Sequence, residues 1–284
     1  MIGTTAVVVD SAAYLPQSLI ERHGVLVAPL TVVLDGHEYL EGIDITADEF
    51  YERLDAAQSV STSQPSPGRL LECYERAAGG GAERVLSIHI GSKLSGTVQS
   101  AKLASESSPI PVTIVDTSQA SFPEGLCAWE AIDALAAGAT VEVAVESARA
   151  ASAAVGNTFV VKALDLLERG GRLAFEGDTG AAGVPVLALA ESGVRILGTA
   201  KTLDEAVDTM AAQIKSAANG AGGRELRVGI GQGAAPEIAR ALRSRVETMT
   251  GIGEIVDYVV GPTVGAHTGA GTAGAAFVAR PVLV

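Results

Sequence analysis

Val85-Leu-Ser-Ile-His-Ile90, then Gly91-Ser92-Lys93-Leu94-Ser95-Gly96-Thr97, then Val98 to Ser105, read as strand, hydroxyl-rich turn and helix in direct succession. The first stretch is a short apolar run of strand length. In the third, Val98, Ala101 and Ala104 recur at helical spacing. A turn of this kind suits an anion, because the first helical N–H groups have no intrahelical partner and the helix dipole is positive there. Taken alone, the turn is read more simply, with Ser95 as the N-cap of the helix that follows.

The same pattern recurs on either side. Ala6-Val-Val-Val9 is an apolar run ending in Asp10-Ser11, with Asp10 also suited to capping the helix near Pro16. Val112-Thr-Ile-Val-Asp116 ends in Thr117-Ser118, and a helix through Trp129, Ile132 and Leu135 follows. Strands alternating with helices of these lengths predict βαβ units and a parallel sheet, with the polar strand ends along one edge, where ligands gather in such sheets. Val25 to Leu34 reads as a further strand, Asp35-Gly36 as a turn, and Thr46-Ala-Asp-Glu49 as a capping box. Ser61 to Pro67 reads as a loop, with Ser66 as N-cap and Pro67 at the first helical position. Thr62, Ser63 and Gln64 are then left as hydrogen-bonding side chains ahead of two prolines.

Near residue 155 the character changes, which sets the expected domains at 1–155 and 156–284. Beyond it, Thr158 to Val161 is a strand, and Leu164, Leu167 and Gly170-Gly171 mark a short helix followed by Arg172. Thr202-Leu-Asp-Glu205 is a second capping box. Leu226 to Ile230, Pro236 to Thr248 and Ile255 to Val260 read as strand, helix and strand. The class is α/β, with a second, smaller α/β domain.

Composition excludes several functions. The 20 basic and 33 acidic residues leave a formal charge of −13, opposed to nucleic acid and to stable binding at an anionic membrane. Cys73 and Cys127 are far apart, without the spacing of a disulfide framework or a zinc site. The N-terminus lacks a basic n-region, and no apolar run is long enough to span a bilayer, so a cytoplasmic protein is expected.

Three constellations could carry chemistry. Gly229-Ile-Gly231-Gln-Gly233-Ala234 fits a loose dinucleotide fingerprint, but a tight glycine turn is favoured. His267, beside Thr268 in a glycine-rich loop, has the most site-like setting of the four histidines, whereas His89 reads as a core or edge histidine. Ser95, His267 and an acid would make a hydrolase triad, although Leu94-Ser95-Gly96 is not a nucleophile elbow. A His near a Ser can instead donate to a bound oxyanion. Arg172 can pair with one bidentately, or simply sit as a solvated charge at a helix C-terminus.

The chain as a whole resembles the DegV family. The resemblance rests on an ordered set of fragments: Val9-Asp10-Ser11, Asp44-Ile45, Thr62-Ser-Gln-Pro-Ser66, Leu94-Ser-Gly-Thr97 with Gln99-Ser-Ala101, and Val115-Asp116-Thr117. Leu167-Glu-Arg-Gly-Gly-Arg172 and Gly261-Pro262 with Gly265-Ala-His267-Thr268-Gly269 complete it. It implies a two-domain α/β protein that holds one long-chain fatty acid between its domains, is not itself an enzyme, and needs no metal or other cofactor. It also implies a fatty acid kinase as partner, which phosphorylates the presented carboxylate. On that analogy Thr62 and Ser95, with Ser63, Gly96 and Thr97 beside them, hold the carboxylate, and Arg172, His267 and Thr268 lie close to it. Val184-Pro185 and Lys201-Thr202 depart from the family pattern of Lys-Pro and Arg-Thr. The alternative expectation is a serine hydrolase or acyl esterase using Ser95 and His267.

Overall fold

The computed structural model of the chain describes residues 2–162, 175–176, 183–190 and 193–280. It divides into two compact units, one of residues 1–46 and 56–153, the other of residues 47–55 and 154–284.

In chain order, the first half contains β1 (Thr5–Asp10), a single 3-10 turn (Ser11–Ala13), α1 (Gln17–His23), β2 (Leu26–Ala28), β3 (Thr31–Leu34) and β4 (His37–Leu40). Then come α2 (Ala47–Leu54), β5 (Val60–Ser63), α3 (Pro67–Gly79), β6 (Arg84–His89), α4 (Thr97–Ser105) and β7 (Val112–Asp116). Helices α5 (Phe122–Ala136) and α6 (Val141–Ala154) close it.

The first unit is built on a parallel sheet of order β2-β1-β6-β7. Parallel sheets need cover on both faces, so their strands run apolar without alternation. β1 is buried along its whole length, and β6 from Val85 onward. Leu70, Cys73, Tyr74 and Ala77 of α3 and Ala101 and Ala104 of α4 pack on Ala6, Val8 and Val85. Helix α5 is apolar nearly all round and correspondingly buried, as a core helix must be.

A second, antiparallel sheet of order β4-β3-β5 belongs to the same unit. It corrects two expectations. The run from Val25 to Leu34 is two strands in different sheets, divided at Pro29-Leu30, because proline has no N–H to continue a ladder. Ser61 to Ser63 is not loop but part of β5, with Thr62 opposite Val32 and Ser63 opposite Thr31. Beyond it Ser66 caps α3 as expected, its hydroxyl accepting from the Arg69 N–H at 3.3 Å, with Pro67 at the helix start.

The second unit comprises β8 (Gly156–Val160), β9 (Phe175–Glu176), β10 (Val184–Ala190), β11 (Gly193–Ala200), α7 (Leu203–Gly220), β12 (Leu226–Gly233), α8 (Pro236–Val246), β13 (Ile252–Val259), α9 (Pro262–Thr268) and β14 (Thr272–Ala279). Its sheet has the order β13-β12-β14-β8-β10-β11-β9 and, among the described residues, pairs in parallel at β12/β13 and β11/β9 and antiparallel elsewhere. Val207, Met210 and Ile214 of α7 and Leu242 and Val246 of α8 form one core with Val160, Val186, Val228 and Ile230 of the sheet. Thr202 caps α7 by accepting from the Glu205 N–H at 3.2 Å, the capping box read from the sequence.

Helix α2 lies in the first half of the sequence but is grouped with the second unit, where the Tyr51 hydroxyl donates to the Val260 carbonyl at 3.0 Å. A boundary drawn at 155 alone does not see this. Local composition does not record which core a short amphipathic helix joins.

Candidate functional site

The Gly91–Thr97 turn leaves the C-terminal end of β6 and is tied to its neighbours through backbone groups. The Gly91 N–H donates to the Gln119 carbonyl at 2.8 Å, and the Gly91 carbonyl accepts from Leu94 and Ser95 at 2.8 and 3.1 Å. A Cβ at Gly91 would lie 2.8 Å from the Ser118 backbone, so only glycine allows this approach. The Asp116 carboxylate at the end of β7 accepts from the Ser92 N–H at 3.2 Å.

Within the turn Ser95 Oγ is 2.9 Å from Thr97 Oγ1 and 3.4 Å from the Thr97 nitrogen. The N-cap of α4 is Gly96, without a side-chain capping bond, so Ser95 is not the cap that the sequence suggested. It lies one residue before the cap because α4 begins at Thr97, and it is half-buried, while Thr97 is fully buried behind it. The two hydroxyl-bearing segments of this unit adjoin here: the Cβ position of Gly96 is 3.0 Å from the side-chain amide of Gln64, which follows Thr62 and Ser63. Thr62 is half-buried and Ser63 exposed.

Beneath the turn lies a buried polar chain. Tyr74 Oη is 3.0 Å from Ser87 Oγ, Ser87 Oγ is 2.6 Å from His89 Nε2, and His89 Nδ1 is 3.1 Å from Asp10 Oδ2. Asp10 also accepts from the N–H of Ile90 at 3.0 Å and of Ala12 at 3.2 Å. The strand end that feeds the Ser95 turn is thus pinned to β1 by one carboxylate. Burial pushes the Tyr74 phenol up to about 12, against the opposing effect of its bond to Ser87. Reading His89 as a core histidine holds, but Asp10 caps the 3-10 turn Ser11–Ala13 and not α1, whose N-cap is Pro16 without a side-chain bond. What the sequence reading missed is that these residues connect. The signal was present, since Ser87 and His89 alternate on a strand otherwise apolar.

Two further acids face this end of β1. The Ser11 hydroxyl donates to Glu41 at 2.5 Å and accepts from the Leu30 N–H at 3.0 Å. Glu124, in the first turn of α5, is wholly buried and lies against the Asp10 carboxylate and the Ile90 backbone. Burial, and then the charge and hydrogen bonding of Asp10 and the charge of Glu41, hold its carboxyl well above the usual carboxylate range. Neither Glu41 nor Glu124 stood out in the sequence.

In the second unit, His267 and Thr268 lie on the short helix α9 rather than in a loop. The preceding Gly261-Pro262 starts that helix, proline being favoured at its first position. His267 is half-buried, and the Thr268 hydroxyl donates to the Val264 carbonyl at 3.2 Å. Arg172, and the helix expected before it, lie outside the described residues.

Gly229 to Gly233 is strand, not a glycine turn. Those glycines make room for rings: a Cβ at Gly231 would lie 2.1 Å from the Tyr258 ring, and one at Gly233 2.1 Å from the Tyr51 hydroxyl. A phosphate-cradling turn is therefore absent from this stretch. Among the described residues no group of His, Cys, Asp and Glu is arranged to hold a metal ion, and no helix is long and apolar enough to cross a membrane.

A parallel sheet with helical cover, polar groups gathered at its C-terminal edge and a second α/β unit define a two-domain α/β protein. Residues 4–280 match the DegV family, and the chain belongs to it. A DegV domain-containing protein of Streptomyces coelicolor is 36% identical over 279 residues, 97% of this chain and 98% of that protein. Among solved structures, the fatty-acid-binding DegV family protein of Thermus thermophilus has a TM-score of 0.88 at 33% identity, covering 97% of this chain and 99% of that one. DegV, a fatty acid binding protein from Bacillus subtilis, has a TM-score of 0.85 at 25% identity, covering 97% and 99%.

Proposed function

We propose that this chain binds a long-chain fatty acid and presents its carboxylate to a fatty acid kinase in the cytoplasm. The observation that carries the reading is the joining of the Thr62–Gln64 and Ser95–Thr97 segments at the C-terminal edge of a parallel sheet. Likeness to fatty-acid-binding structures at 33% and 25% identity supports it. Thr62 and Ser95 are the hydrogen-bond donors to the carboxylate, with Ser63, Gly96 and Thr97 shaping the turn around it. Arg172, His267 and Thr268 complete the set, and residues of the 156–284 segment cover the acyl chain.

Apolar burial dominates the affinity. Each methylene removed from water contributes about 0.8 kcal/mol, so a tail of roughly fifteen carbons gains on the order of 10 kcal/mol before ordering costs. The polar cluster chooses which end is presented, because a carboxylate buried without donors is costly. This role needs no cofactor and no nucleophile.

Denaturing mass spectrometry of the purified protein tests the reading. A released fatty acid is expected, together with uptake of palmitate by delipidated protein. A protein that emerges empty and takes up none overturns it. The kinase step is tested separately, by acyl-phosphate formation on the loaded protein with a fatty acid kinase and ATP.

A further inference from the structure

Helix α2 is the segment that the second unit takes from the first half of the chain, and it meets the helix that carries His267. Phe50 is fully buried and Tyr51 nearly so, their rings edge to face with centroids 5.2 Å apart. The Tyr51 hydroxyl donates to the carbonyl of Val260, two residues before α9. Two glycines leave room for this side chain. At Gly233 a Cβ would lie 2.1 Å from the Tyr51 oxygen, and at Gly265 it would lie 2.6 Å from that oxygen and 2.9 Å from the Phe50 ring. Gly265 is in α9 itself, two residues before His267. A helix of 7 residues has little stability of its own, so what it packs against sets its direction.

We propose that Tyr51 is a positioning residue for His267: its bond to Val260 and its seat against Gly233 and Gly265 fix the direction of α9 and with it the aim of the imidazole at the ligand carboxylate. This rests on the reading of His267 as a carboxylate-facing group. Tyr51 acts through the helix and does not touch the ligand. Tyr51→Phe keeps the ring, and so the filled space, while removing the bond that ties the entry of α9.

The test compares palmitate with hexadecanol, which has the same tail and no carboxylate, in the wild type, Tyr51→Phe, His267→Ala and the double variant. Tyr51→Phe is expected to weaken palmitate binding about three- to tenfold, the size of one lost hydrogen bond, with hexadecanol affinity kept within about twofold. In the His267→Ala background the same change is expected to cost palmitate binding nothing further, because the two residues act in series. Equal losses for both ligands, no loss for either, or losses that add in the double variant overturn the role of Tyr51. A His267→Ala protein that binds palmitate like the wild type overturns the carboxylate reading of His267 and the proposal with it. Loss of palmitate selectivity in His267→Ala but not in Tyr51→Phe overturns the proposal alone.

Discussion

His89 Nδ1 lies 3.1 Å from the Asp10 carboxylate, with both side chains wholly inaccessible to solvent. With Ser87 at 2.6 Å from the other ring nitrogen, the three residues have the connectivity of a serine-hydrolase triad. Their burial gives them another use. A nucleophile must meet its substrate, and Ser87, fully enclosed and bonded also to Tyr74, meets only protein. The arrangement ties β1 to β6 directly below the Ser95 turn.

Removing the carboxylate from that arrangement is expected to be severe. Asp10→Ala leaves the N–H groups of Ala12 and Ile90 and the His89 ring without their acceptor. A loss of about 3–5 kcal/mol is expected in denaturant unfolding, the range for breaking a buried, charge-assisted set from one side. Asp10→Asn keeps one acceptor oxygen and is expected to lose less. An Asp10→Ala protein as stable as the wild type would show that the contacts are incidental.

A reagent that acylates or phosphonylates activated serines is expected to leave both Ser87 and Ser95 unlabelled. Ser87 is enclosed, and Ser95 is hydrogen-bonded to Thr97. Intact-mass measurement after incubation checks this. Stoichiometric labelling of Ser95 would move the protein into the hydrolase class.

Glu124 gives the chain a pH dependence whose sign can be worked out. Its folded carboxyl is held above its unfolded value by burial and by the Asp10 and Glu41 carboxylates. A carboxyl so raised contributes stability that is complete below the unfolded value, about 4.3, and is lost as pH rises through the folded one. Glu124→Gln is neutral at every pH, so its melting temperature is expected to gain on the wild type as the buffer is made more alkaline. Parallel pH profiles for the two proteins would contradict a raised Glu124 carboxyl.

Gly231→Ala is expected to destabilise the second unit by about 1–3 kcal/mol or more, because its methyl meets the Tyr258 ring at 2.1 Å within a paired strand. The denaturation midpoint measures it. NAD(P) is expected to produce no thermal shift, since the glycines of this stretch lie in a strand.

Ser95→Ala is expected to weaken palmitate binding about three- to tenfold and to slow acyl-phosphate formation with a kinase, while hexadecanol binding stays nearly unchanged. On the proposed role, the change removes one donor to the carboxylate and leaves the contacts of the tail in place. Equal activity with the kinase would return Ser95 to a role in the turn alone.

Much of this was legible in the residues. The apolar runs of β1 and β6 announced a parallel sheet, because both strands are buried on both faces; β7, at the end of the sheet, is buried only at Val115. Capping signals placed the starts of α3 and α7, since a cap is a contact between near neighbours. Short elements were misread where a partner distant in sequence decides their state. Ser61 to Ser63 becomes a strand only because β3 offers it a ladder. His267 sits in a helix rather than a loop, on a segment that packs against α2.

The sequence by itself determined the α/β class and the family, because period, capping and ordered fragments are local properties of the chain. Tertiary structure alone decided that Asp10, His89, Ser87 and Tyr74 form one buried chain, that Glu124 is buried beside it with its carboxyl raised, and that α2 joins the second unit. The reason is physical. Hydrogen bonds between strands, the desolvation of a carboxyl and the space left by a glycine depend on what folding brings near, and residues 79 positions apart carry no mark of their meeting.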